Sequence, residues 1–220
     1  VMAASLSACL GWAPSVMAAG PGCPPTREVG IVPTIDVIPE VPNPQYRYDV
    51  TKVGLTQMMG AKGSNGGRHS MTLGLTVGTF GTSWQISSST IRKGNLLCHY
   101  LRNAKVRLQV PSLIVYIASD YRQGSCQFQT ITTHENEHVR VNQAVVRKYA
   151  PIMRETLLTA AYRLSPVATT SDPGPQAIER ALQPTILAVL NDMYKERDRG
   201  NGVIDTDDAY RRTSQRCSSW

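Results

Sequence analysis

Five things are missing from this chain of 220 residues, and each narrows what it can be. After Ala19 no stretch approaches eighteen uninterrupted apolar residues, so no transmembrane helix is expected in the mature chain. No Cys-x-x-Cys pair occurs, which removes a thiolate zinc site and a thioredoxin-like motif. The glycine-rich stretch from Gly60 to Gly67 lacks the Gly-Lys-Ser/Thr order that cradles phosphate. A net charge of +7 is spread along the chain without an aromatic-interleaved basic block, so it reads as a basic solvated surface and nucleic acid is not an expected partner. No internal repeat is present, and the length suits one domain of ordinary size with appendages.

What is present begins with an apolar, small-residue segment. Residues 1–19 read as the remainder of a secretory signal peptide, with Val16-Met17-Ala18 and Met17-Ala18-Ala19 as small-residue cleavage sites. Leu6-Ser7-Ala8-Cys9 gives a second reading, a lipobox that would anchor the chain at Cys9, ranked below simple export to the periplasm or medium. Cys23, Cys98, Cys126 and Cys217 then form an even set compatible with two disulfides in an oxidising compartment. Three pairings are open. The preferred one joins Cys98 to Cys126, tying the start of a helix to the preceding sheet, and leaves Cys23 with Cys217.

Residues 20–45 carry seven prolines, at 21, 24, 25, 33, 39, 42 and 44, and read as an extended surface leader. The domain proper is expected over 46–220. Tyr46–Val50 alternates as a strand, and Leu55–Met59 suits a helical turn. Met71–Val77, Ser83–Ser87, Leu96–Tyr100 and Ala104–Val110 alternate apolar and polar residues, and Leu113–Ala118 is a short apolar run. The middle third is therefore expected to be mainly antiparallel sheet. Ser125 is a candidate N-cap for a helix to about Tyr149, with Pro151 kinking it or opening a second helix. A last long helix follows from Ile178, Leu182, Thr185, Val189 and Met193, bent at Pro184. The expected class is α+β, an antiparallel sheet followed by a helical half.

The chemistry concentrates in Thr130-Ile131-Thr132-Thr133-His134-Glu135-Asn136-Glu137-His138, which contains H-E-x-x-H. On a helix His134 and His138 lie one turn apart on one face, about 6 Å between Cβ atoms, a spacing suited to two imidazoles sharing zinc. Ile131, His134, His138, Val141, Val145, Tyr149 and Ile152 recur at three and four, so both histidines belong to an inward stripe. Glu135 sits one step round, placed to act as general base toward a metal-bound water without being a ligand. The plain alternative is a pair of hydrogen-bonded core histidines with Glu135 and Glu137 solvated.

The order of these features resembles a bacterial family of predicted secreted zinc-dependent proteases: Tyr48-Asp49, the glycine-rich loop, a strand ending in Trp84, Cys98, a sheet, the H-E-x-x-H helix, then a late Asp and Tyr segment. The resemblance runs from Tyr46 to Cys217 and implies a zincin-like metallohydrolase with His134 and His138 as ligands and Glu135 as base. The family's late segment ends in a histidine, whereas this chain has Asp205-Thr206-Asp207-Asp208-Ala209-Tyr210. Candidates for the third ligand are Asp207, Asp205, Glu155, His99 and His69. Asp207 with Tyr210 is preferred, because it resembles the D-x-x-Y part of the aspartate-type zincins, in which the Tyr stabilises an oxyanion. Glu155 requires a sharp reversal at Pro151. The stretch from Asp198 to Asp205 is unlike a calcium loop, since Arg197 and Arg199 stand where its acidic ligands belong.

The leading expectation is an exported zinc metallopeptidase acting on a peptide or protein substrate. A non-catalytic envelope protein, binding a partner or cell-wall polymer through its sheet, is the alternative from another class. Hydrolysis of a non-peptide amide is a third.

Overall fold

The computed structural model describes residues 22–60, 71–171 and 174–220. Its frame is a long hairpin. Strand β3 (Gly74–Lys93) turns at Gly94-Asn95 into strand β4 (Leu96–Ile117), and the pair runs antiparallel over its whole length. Gly94 has φ +61°, the left-handed conformation that a two-residue hairpin turn demands. The alternating segments on either side of Thr79-Phe80 and of Pro111 thus belong to two continuous strands. A register irregularity between Thr79 and Gly81 changes the phase of β4, so its buried residues are Val106, Leu108 and Val110 before it and Leu113, Val115 and Ile117 after it.

The other edge of β4 is filled by three short strands end to end. Strand β5 (Val167–Thr169) pairs with Leu97–His99, β1 (Thr34–Glu40) with Asn103–Gln109, and β2 (Gln45–Arg47) with Ile114–Tyr116. Strands β1 and β2 both run parallel to β4. The expected antiparallel sheet is therefore corrected to a mixed five-stranded sheet in an α/β arrangement, and the overlooked strand explains the error. β1 lies inside the proline-rich segment 20–45, which was expected to run unpacked over the surface. Pro39 is tolerated because β1 is at an edge, and Ile35 enters the core at 5% exposure.

Helices cover the sheet unequally. Helix α1 (Lys52–Gly60) packs Leu55 against Leu75 and Ala118 on one face. On the other face, helix α2 (Cys126–Arg163) and helix α3 (Pro175–Ile204) contribute Val139, Val146, Met153, Leu157, Ile178, Leu182, Ile186 and Met193 to the main core. The Ser125 hydroxyl caps α2 by accepting from the Phe128 amide, as its sequence position predicts. The helix continues through Pro151 to Arg163. Helix α4 (Asp207–Ser214) follows α3 after a short break, capped by Thr206. Among the described residues no helix is long and apolar enough to cross a membrane.

Two disulfides join Cys23 to Cys98 and Cys126 to Cys217, which overturns the preferred Cys98–Cys126 pairing. Cys98 lies in β4 near the hairpin turn, where β5 also pairs, and Cys126 opens α2 beside the C-terminal segment. The first bridge fastens the proline-rich segment to the sheet. The second holds the segment after α4 against α2. With partners 75 and 91 positions apart in sequence, loop-closure entropy gives each about 4.5 kcal/mol. A non-reducing digest should yield peptides linking Cys23 to Cys98 and Cys126 to Cys217, and serine replacement of either pair should lower the melting temperature. A Cys98–Cys126 peptide would contradict this arrangement.

Candidate metal centre

His134 and His138 sit in the third and fourth turns of α2, where the stripe turns them toward α3. The two helices run antiparallel: His138 meets Asn201, Val141 lies against Gly200, and Lys148 and Tyr149 reach Glu196. This register carries the C-terminal turn of α3 over the histidines. Asp205, the residue that closes α3, places Oδ1 3.3 Å from His134 Nε2 and 3.1 Å from His138 Nε2. The Tyr210 hydroxyl, from the second turn of α4, donates to the same oxygen at 2.8 Å. Ligand atoms from His134, His138 and Asp205 all lie within 4.8 Å of one another, a group that could hold a metal ion.

Around this trio the neighbours are ordered. His138 Nδ1 is 2.9 Å from Asn201 Oδ1, so that nitrogen carries a proton toward the amide oxygen and Nε2 is the one aimed at Asp205. The Asn142 amide donates to the His138 carbonyl. Glu135 is buried at 4% exposure and accepts a hydrogen bond from Thr76 Oγ1 at 2.7 Å. It fits because β3 is bare at that point: a Cβ on Gly74 would stand 2.5 Å from Glu135 Oε1 and 2.7 Å from Ile131 Cγ2.

The electrostatics follow from this packing. Burial pushes the Glu135 carboxyl above the usual range, against the hydrogen bond from Thr76 and the two nearby imidazoles. Burial works against a charged His138, but its hydrogen bonds to Asp205 and Asn201 prevail and raise it to about 9. Asp205 is desolvated as well, yet the two imidazoles and Tyr210 hold its carboxyl well below the ordinary range. Burial and the Asp205 charge push the Tyr210 phenol upward, so it stays protonated and able to donate.

The remaining candidates for a third ligand are elsewhere. Asp207, the preferred one, is exposed in the first turn of α4 and outside the trio. Glu155 pairs with Arg154 seventeen residues beyond His138, about 26 Å along the uninterrupted helix. His99 is fully buried near the hairpin turn, between Thr90 and Thr169. His69 lies outside the described residues. Ile152, assigned to the inward stripe, is 40% exposed. Sequence reasoning passed over Asn201 and Thr76 and ranked Asp205 below Asp207. The available signal was the spacing of Asn201 and Asp205, four apart on one face of a helix's last turn.

Comparisons with protein-family models, with curated proteins and with solved structures gave no match.

In the metal-free protein the His138 pKa is raised in the folded state, so its charged form stabilises the fold. That contribution is complete below the ordinary value of 6.5 and is lost as pH rises through about 9. A metal ion displaces the same proton, so its affinity should rise across that window. Melting curves of chelator-treated protein from pH 6.5 to 9.5 should show a falling midpoint, and His138→Ala should remove most of the slope. A midpoint that climbs with pH, unchanged by the substitution, would contradict the charged His138–Asp205 contact.

Proposed function

We propose that this chain is an exported zinc-dependent peptidase in which His134, His138 and Asp205 hold the metal and Glu135 is the general base. The observation that carries the reading is the spacing of Asp205 Oδ1 from the two imidazole nitrogens. A tetrahedral ion with bonds of about 2.05 Å separates its ligand atoms by about 3.3 Å. The two His–Asp distances here are 3.3 and 3.1 Å. Two imidazoles and one carboxylate, with a fourth position open to water, are a donor set suited to catalytic zinc. The H-E-x-x-H spacing and the resemblance to predicted secreted zinc-dependent proteases favour the same conclusion, and two disulfides are consistent with an extracellular location.

Zinc would supply Lewis acidity, bringing the pKa of a bound water toward neutrality. Glu135, buried and anchored by Thr76, would serve as the proton carrier, accepting a proton from the attacking water and returning it to the leaving amine. Its raised pKa suits both halves of that transfer. Tyr210 is a protonated donor next to Asp205 and His134, placed to stabilise negative charge developing on the carbonyl oxygen. Among the described residues β3 pairs only with β4, so its other edge next to Thr76 would offer an extended peptide a strand to pair with.

A second reading has its own observation. Asp205 Oδ1 has three donors around it without any metal, which also suits a structural His–Asp–Tyr network in a non-catalytic envelope protein.

Hydrolysis of a mixed peptide library decides between the two. Wild type should cleave, chelation should stop it and zinc restore it, while Glu135→Gln should lower the rate by about 10³-fold or more with zinc still bound. A Glu135→Gln protein as active as wild type would sink the peptidase mechanism.

A further inference from the structure

Beside the trio lies a cavity of about 120 Å³, lined by His134 and Glu137 from α2 and by Ala209, Arg212, Thr213 and Arg216 from α4 and the residues following it. Ala209, Arg212 and Thr213 share one face of α4, and Arg216 follows just beyond the end of that helix. His134 is shared: its ring belongs to the metal-binding group and to the cavity wall. Arg216 is next to Cys217, whose bridge to Cys126 pins this end of the chain against the first turn of α2.

The charges in this cavity are unbalanced. Two guanidinium groups face one carboxylate, that of Glu137. Arg47, Arg107, Arg154, Arg197 and Arg211 are each paired with an acid, whereas Arg212 and Arg216 form no side-chain hydrogen bond or ion pair among the described residues. Arg211 satisfies Asp208 on another side of α4, so that acid does not neutralise the cavity. Two planar cations, neighbouring a metal-binding histidine and open to solvent, match a carboxylate in charge and hydrogen-bond geometry.

We propose that this cavity receives a substrate carboxylate on Arg212 and Arg216, which makes the chain selective for peptides bearing a negative group close to the bond cleaved. The proposal rests on the peptidase reading above. The carboxylate has two sources: the free C-terminus of the peptide, which would make the enzyme a carboxypeptidase, or an aspartate or glutamate side chain, which would make it an endopeptidase with acidic specificity. Glu137 opposes either and tempers the preference.

Three peptides of one length test this: an otherwise neutral peptide with a free acid at the C-terminus, its C-terminal amide with one internal residue replaced by aspartate, and its fully neutral amide. With zinc-loaded wild type, kcat/KM for at least one anionic peptide should exceed the neutral one by about tenfold or more. The anionic peptide that is preferred identifies the carboxylate's source. Arg212→Gln with Arg216→Gln should bring the ratio toward one with zinc content and circular dichroism retained, and Glu137→Gln should increase it. A ratio near one in wild type, or one that survives the double substitution, overturns the proposal. If wild type cleaves no peptide, the peptidase reading fails by itself, and calorimetry still decides the cavity. Tighter binding of the free-acid peptide than of its amide, lost in the double variant, supports a carboxylate receptor, and equal binding overturns it.

Discussion

The close approach of α3 to α2 is the constraint on which the rest of the site depends. Gly200 makes it possible, because a Cβ there would sit 2.9 Å from Val141 Cγ1. With no side chain in the way, the last turns of α3 settle onto α2, and Asn201 and Asp205 arrive over His138 and His134. The antiparallel register is held further along by Lys148 and Tyr149 on Glu196. Without this crossing, α2 would present two buried or half-buried imidazoles with nothing to accept from them, an expensive arrangement in a core.

The same economy governs the sheet side of α2. A helix that turns Glu135 and Asn142 inward needs room and partners, and β3 supplies both. Gly74, Thr76 and Gly78 face it at alternate positions, two of them without side chains and the third with a hydroxyl that binds the Glu135 carboxylate. The aliphatic core from β4 lies directly behind, so the polar residues are set into a rigid wall. Such an arrangement holds the Glu135 carboxyl in place and, by burying it, raises its pKa above the ordinary range.

Much of this was legible in the sequence and some was not, for physical reasons. The helix carrying His134, Glu135 and His138 announces itself because its apolar period is long and regular and Ser125 marks its start. Strands of β3 and β4 are recognisable by alternation, but their continuity is not, since the irregularity at Thr79 to Gly81 shifts the phase and imitates a break. β1 is hidden by its prolines, and with it the parallel pairing that sets the class of the fold. The disulfides depend on which distant segments meet, and spacing alone does not encode that. Asp205 is hidden behind Asp207 because the D-x-x-Y spacing in the sequence points to Asp207. The actual partner of Tyr210 is five residues back, across the junction of two helices.

The central claim, that His134, His138 and Asp205 together form a metal centre, is tested most directly by elemental analysis of the disulfide-bonded protein beside its Asp205→Asn variant. The account predicts close to one zinc per chain in wild type and a marked loss in the variant, with the fold retained by circular dichroism. Wild type that takes up no zinc after reconstitution, or a variant that holds it as firmly as wild type, would contradict it.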